Sequence, residues 1–226
     1  ADDMGVDGPD YRFGFGLVNT FRAIKTIEEE RFLMSSVENS QKSNHIVSVP
    51  AGLDEAKFLL YWNDKEVTAG PDKALVNNLD IEIIAPNGDI ILPWVLNHNS
   101  ADVDEPAKRG VDIINNIEQV TIQNPMEGEY TVVVKGKEVP FGPQNFVVAY
   151  ELIKKEVLLT FPAGKESLVP DEKYTVSWMA NRDNHNSFKL ELSLDGGNSW
   201  NLIVDEIPAE HRTYEWRTPS VISQNA

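Results

Sequence analysis

The residues best suited to chemistry are oxygen donors gathered at three places along the chain. Asp64 follows Trp62-Asn63. Asn77, Asn78 and Asp80 stand close together. Asp112, Asn115, Asn116 and Glu118 come after a stretch without clear periodicity. Carboxylates and amides are hard ligands, and Ca2+ takes roughly six to eight such oxygens. Two of the groups flank strand-like runs, so they could meet at one end of a sandwich. Asn and Asp also close turns and cap strand ends, so spacing alone leaves both uses open.

Nucleophilic catalysis finds no foothold. His45, His98, His185 and His211 lie in no recognisable motif, and Gly-x-Ser-x-Gly and His-Glu-x-x-His are both absent. Phosphate-cradling glycine loops are missing as well. With no cysteine in the chain, disulfides, zinc-thiolate sites and cysteine nucleophiles are excluded. Five tryptophans, at 62, 94, 178, 200 and 216, could build a sugar-stacking platform. Trp62 and Trp178 end apolar strand runs, however, where core placement is the commoner use. A carbohydrate- or protein-binding adhesion module therefore stands as the alternative function.

The net charge of -16 over 226 residues repels phosphate backbones and anionic bilayers, so neither nucleic acid nor membrane is an expected partner. Apolar residues make up 41% and charged residues 25%, the balance of a chain that can bury a core. No apolar run approaches the ~18 residues of a membrane span.

Three regions must position these residues. In residues 1–30, glycines at 5, 8, 14 and 16 make a looping start. Leu17, Val18, Phe21, Ile24 and Ile27 then recur at helical spacing, with Asn19 as a candidate cap. The acidic run Glu28-Glu29-Glu30 opposes the helix dipole and should fray the end. A helix this short is marginal alone, so its apolar stripe calls for a partner beyond the sequence that follows.

Residues 31–153 alternate strand-like runs with turns such as Ala85-Pro86-Asn87-Gly88 and Asn124-Pro125-Met126-Glu127-Gly128, which predicts an antiparallel sandwich. Pro93 to Gly110 reads as a long loop. In residues 154–226, Tyr174, Val176 and Trp178 share one strand face. Phe188, Leu190, Leu192 and Leu194 alternate cleanly toward a turn at Asp195-Gly196-Gly197-Asn198. These short strands predict a small, truncated immunoglobulin-like sandwich without its disulfide. The expected fold class is mainly β: a jelly-roll-like antiparallel sandwich, then the smaller one, with one short N-terminal helix.

A resemblance adds to this reading. Gly14-Phe15-Gly16-Leu17-Val18-Asn19 and the helix after it resemble the end of the catalytic domain in subtilisin-like serine proteases. The ordered series Leu60-Tyr61-Trp62-Asn63-Asp64, Ala74 to Asp80, Ala85 to Gly88, Asn115 to Glu118, Gly128 to Val132 and Val139 to Gln144 resembles the sandwich that follows that domain in a secreted branch of the family. Phe161 to Gly164 and Leu194 to Trp200 are similar to modules appended to exported Bacteroidetes-type proteins.

The resemblance implies a non-catalytic accessory region of a secreted or cell-surface bacterial endopeptidase, with a proprotein-convertase P-domain-like jelly roll over 31–153. Its implied partners are the catalytic domain of the same chain and a protein or peptide substrate. No catalytic residue carries over, because the Gly-Thr-Ser context of the nucleophile is absent. The family's sandwich often holds Ca2+, and the matching positions are Asp64, Asn78, Asp80 and Asp112. Asn78 stands where the family has aspartate, which removes one formal charge.

Overall fold

The computed structural model describes residues 2–67, 74–154, 157–164, 166–180 and 187–223. His185 and the last residues of the chain lie outside the described residues. The fold is mostly β, with one short helix and several antiparallel sheets. It divides into two compact units, Ala1–Lys154 and Lys155–Ala226.

The first unit packs two four-stranded antiparallel sheets. One has the order β1 (Phe32–Val37), β10 (Gln144–Lys154), β3 (Leu53–Tyr61) and β8 (Ile117–Gln123). The other has the order β2 (Lys42–Val49), β9 (Gly128–Glu138), β4 (Asn78–Ile84) and β5 (Ile90–Ile91). Every second residue points inward. Ala56, Phe58 and Leu60 of β3 and Val148 of β10 meet Leu79, Ile81 and Ile83 of β4 and Val132 and Val134 of β9 in one buried core. Full burial of such side chains contributes about 1.5–3 kcal/mol each.

The outer face of the first sheet is covered too, by the N-terminal segment. Gly16 has φ +96°, and a Cβ there would stand 2.0 Å from the carbonyl oxygen of Asp2. Leu17 and Asp2 exchange backbone hydrogen bonds at 2.7 and 2.8 Å. That bridge uses the backbone of Leu17, and the helix α1 runs Thr20–Glu28. Asn19 caps it as expected: its Oδ1 accepts from Arg22 N–H at 3.0 Å.

The stretch 93–110 is not wholly irregular. β6 (Trp94–Val95) pairs with β7 (Lys108–Arg109). The Arg109 guanidinium lies 3.7 Å from the Trp94 ring centre, and Trp94 Nε1 donates to Thr121 Oγ1 at 2.8 Å. Gly8 sits against the same indole, where a Cβ would come within 2.8 Å. An aromatic–cation stack and a bare backbone thus close a loop whose sequence shows no period.

In the second unit, β11 (Val157–Phe161), β12 (Lys173–Ala180) and β15 (Thr213–Arg217) form one sheet, and β13 (Ser187–Leu192) and β14 (Asn201–Pro208) form another. Val176, Trp178 and Ile207 are its buried core residues, with Phe188, Leu190, Tyr214 and Trp216 packed against them. The strand predicted to reach Asp195 ends at Leu192, because Ser193 and Asp195 turn back on their own backbone.

Candidate cation site

Asp64 spends both oxygens on backbone. Its Oδ2 accepts from Val76 N–H at 2.7 Å and its Oδ1 from Asn77 N–H at 2.8 Å. It fastens the segment that leads into β4. Asn77 is likewise committed: its amide donates to Gln144 Oε1 at 2.7 Å and to the Phe141 carbonyl at 3.1 Å.

The next residues differ. Asn78 is 3% exposed, and its Oδ1 has no hydrogen-bond partner; neither has Oδ1 of Asp80. Asp112 holds its own turn, with Oδ1 accepting from the N–H of Ile114 at 2.8 Å and of Asn115 at 3.0 Å. Its Oδ2 accepts from Asn115 Nδ2 at 2.7 Å.

Glu118 completes the group. It shares the core-facing register of β8 with Val120 and Ile122 and is 1% exposed. Oε2 accepts from Ile81 N–H at 2.8 Å, while Oε1 is buried without a partner. Burial pushes the Glu118 carboxyl up to about 9; the Ile81 N–H opposes this, and the charges of Asp80 and Asp112 add to it. Burial raises Asp80 as well, against Lys137 and Lys135 and with help from Glu82 and Asp112. A buried, unpaired carboxylate is costly, so such a site holds either protons or a cation.

Three free, buried, hard oxygens fit a Ca2+-type ion by donor chemistry. Among the described residues, no three His, Cys, Asp or Glu side chains converge closely enough to hold a metal by themselves. Asn78 Oδ1, Asp80 Oδ1 and Glu118 Oε1 are the buried side-chain oxygens of these segments left without a partner. Of the four residues matched by resemblance, Asp80 and Asp112 share one electrostatic neighbourhood with Glu118, and Asn78 opens the same strand as Asp80. Glu118 belongs to the sequence cluster but not to those four. Its signal is a glutamate in the inward register that Val120 and Ile122 otherwise fill.

The other candidates resolve into packing. His45 Nε2 lies 3.0 Å from Ser43 Oγ, and its ring meets Phe146 edge-on. No carboxylate holds its other nitrogen among the described residues. His98 and His211 are exposed. Trp62 and Trp178 are buried and Trp94 is sandwiched as described. Trp200, 60% exposed, is the one freely exposed indole among the five. One ring is not a stacking platform.

No family model matches the chain. A stretch of 89 residues is 33% identical to the serine protease/ABC transporter B family protein tagB of Dictyostelium discoideum, covering 38% of this chain and 4% of that protein. The chain thus carries a segment similar to part of a protease-named protein and spans a small fraction of its length. Among solved structures, a protein of Sulfurospirillum deleyianum aligns at 9% identity and TM-score 0.28, over 53% of this chain and 97% of its own. The propeptide form of the Bacillus licheniformis lipase BlEst2 aligns at 12% and 0.30, over 83% and 40%. Neither likeness is close enough to carry an argument.

Proposed function

We propose that residues 2–154 form a non-catalytic, cation-stabilised accessory sandwich of a secreted or cell-surface subtilisin-like serine endopeptidase, docked on its catalytic domain. The observation that carries this reading is the orientation of α1. Arg22 and Thr26, one turn apart, face the sandwich. The Arg22 guanidinium pairs with Glu151 on the outer face of β10 and with Asp2. Phe21, Ile24 and Ile27 lie on the opposite side of the helix and are 47%, 54% and 70% exposed.

A helix held by its polar side and offering its apolar side outward is built to be covered by another surface. The similarity to a protease-named protein and the glycine turn before the helix point to a protease domain as that surface. The free oxygens at Asn78, Asp80 and Glu118 support Ca2+ as the stabilising ion. Binding to the folded state alone would raise the unfolding free energy of the whole.

Replacing Phe21 and Ile24 with Glu tests the docking. In the isolated chain both side chains are exposed, so stability should stay within about 0.5 kcal/mol. In the full-length protease the same pair should shorten the thermal half-life several-fold. Peptide hydrolysis by the isolated chain, or an unchanged half-life in the full-length protein, would sink the reading.

A further inference from the structure

Residues 2–28 lie against a charged sheet face. On the outer side of the first sheet, Glu151 of β10, Lys57 of β3 and Thr121 of β8 stand in register, with Glu55 one step along the same face. A sheet face open to water would leave such side chains exposed. Here Lys57 is 7% exposed, and the Glu55 and Glu151 side chains are 16% and 14% exposed. The N-terminal segment reaches this row at several points. Arg22 pairs with Glu151 and with Asp2. Gly8 backs onto Trp94, whose indole N–H donates to Thr121. Burial raises the Glu55 carboxyl; Lys57 and Arg22 oppose this, and Asp3 and Glu151 add to it.

What holds the segment down is polar. Tyr11 donates its hydroxyl to the Asn97 carbonyl at 3.0 Å, and Arg12 stands 3.6 Å from Asp104. Among its described residues only Gly8 and Pro9 are buried, while large apolar side chains from Met4 to Ile27 are exposed. Apolar burial is what joins an element to a cooperative core, and an element without it opens at lower cost than the whole. We propose that residues 2–28 form a releasable strap, clasped by the Arg22–Glu151 pair, which opens as a unit from a sandwich that stays folded and bares the Glu55, Lys57 and Glu151 row to solvent. Away from the sheet, α1 is too short to persist as a helix, so opening also melts it. This is a property of the chain by itself and goes beyond the docking reading. A domain seated on the outer side of α1 would be joined to the sandwich through a polar seam, and the joint would part there.

Amide hydrogen exchange on the isolated chain tests this, with Arg22→Gln as the first variant and Glu151→Gln, from the other side of the clasp, as the second. The strap is read at Ala23 and Glu29, whose N–H groups bond to the Asn19 and Lys25 carbonyls at 3.0 and 2.9 Å. The sandwich is read at Phe58, buried in the central strand β3. In the wild type the α1 amides should exchange about 100-fold or more faster than Phe58, as expected of a sub-global opening. Either variant should speed them about tenfold further, because it leaves one partner of a shielded pair uncompensated, and should leave Phe58 unchanged. A second readout follows the row beneath. An amine-acylating reagent should label Lys57 slowly in the wild type, against a side chain such as Lys108 that is 76% exposed, and several-fold faster in both variants. If the α1 amides exchange at the rate of Phe58, or if the variants speed Phe58 by the same factor, residues 2–28 belong to the sandwich's cooperative unit and the strap is overturned. Lys57 labelled no faster in either variant than in the wild type would overturn it as well.

Discussion

Two carboxylates, one in each unit, show opposite ways of handling the same charge. Glu118 is buried between two sheets with one oxygen bonded and one orphaned, and its carboxyl is pushed up to about 9. Asp195 stands in an open turn, and hydrogen bonds from Ser199, both side chain and backbone, and from Ser193 hold it down to about 2. Solvent and short-range donors satisfy Asp195 within its own turn. Glu118 answers to residues distant in sequence, Ile81 and Asp80, as well as to Asp112 six positions before it. Charge placed in a long-range core site creates a demand that a ligand can meet, whereas charge placed in a turn is a local fastening.

The cores differ in the same sense. The first unit gathers a broad inter-sheet core from both sheets, while the second has Val176, Trp178 and Ile207 as its buried centre. The largest effect should therefore come from the first. Phe58→Ala removes a fully buried ring and should cost about 3–5 kcal/mol. Trp178→Ala, in the thinner core, should cost less than Phe58→Ala despite the larger ring removed. Denaturant melts of both variants, read by tryptophan fluorescence and circular dichroism, give the two values. Equal costs would mean that the thin core is as tightly packed as the broad one.

A middle-sized effect concerns pH and sharpens the contrast directly. The Glu118 carboxyl sits above its unfolded range, so in chelator the folded state holds a proton that the unfolded state has lost. The stability from neutral Glu118 is full below the unfolded carboxyl range, near pH 4.5, and is lost as pH rises toward about 9. Melting temperature in chelator should fall over that window, and Glu118→Gln should flatten the fall. A flat wild-type profile in chelator would mean that Glu118 is already compensated by protein groups.

Much of this arrangement was legible in the sequence. Alternation in Tyr174 to Trp178 and in Ile81 and Ile83 marks strands, because inward residues recur at period two. Asn19 reads as a helix cap because its side chain needs only a local donor. What could not be read depends on distant partners. The Trp94–Arg109 stack, the Arg22–Glu151 pair and the Glu118–Ile81 bond each join residues far apart in the chain. Asp64 carries the residue type of a metal ligand, yet two backbone amides take its oxygens. Which use an aspartate serves is decided by what folds against it.

The smallest effect belongs to Asp195. Its carboxyl sits below its unfolded range, so its contribution is present above about pH 3.8 and is lost as pH falls through about 2. Between pH 5 and 9 (about the window over which Glu118 titrates) Asp195 contributes no slope. Asp195→Asn keeps an oxygen for the Ser199 N–H but loses the charge that strengthens the bond. It should lower the melting temperature of the second unit slightly at neutral pH, leave the first unit untouched, and narrow the gap to wild type as both are taken below pH 3. Exchange at the Ser199 and Gly197 amides, both bound inside the turn, measures this at the residues concerned. If Asp195→Asn left both amides as protected as in the wild type at pH 7, the turn would be held by Ser193 and its glycines, and the carboxylate would be a bystander in its own loop.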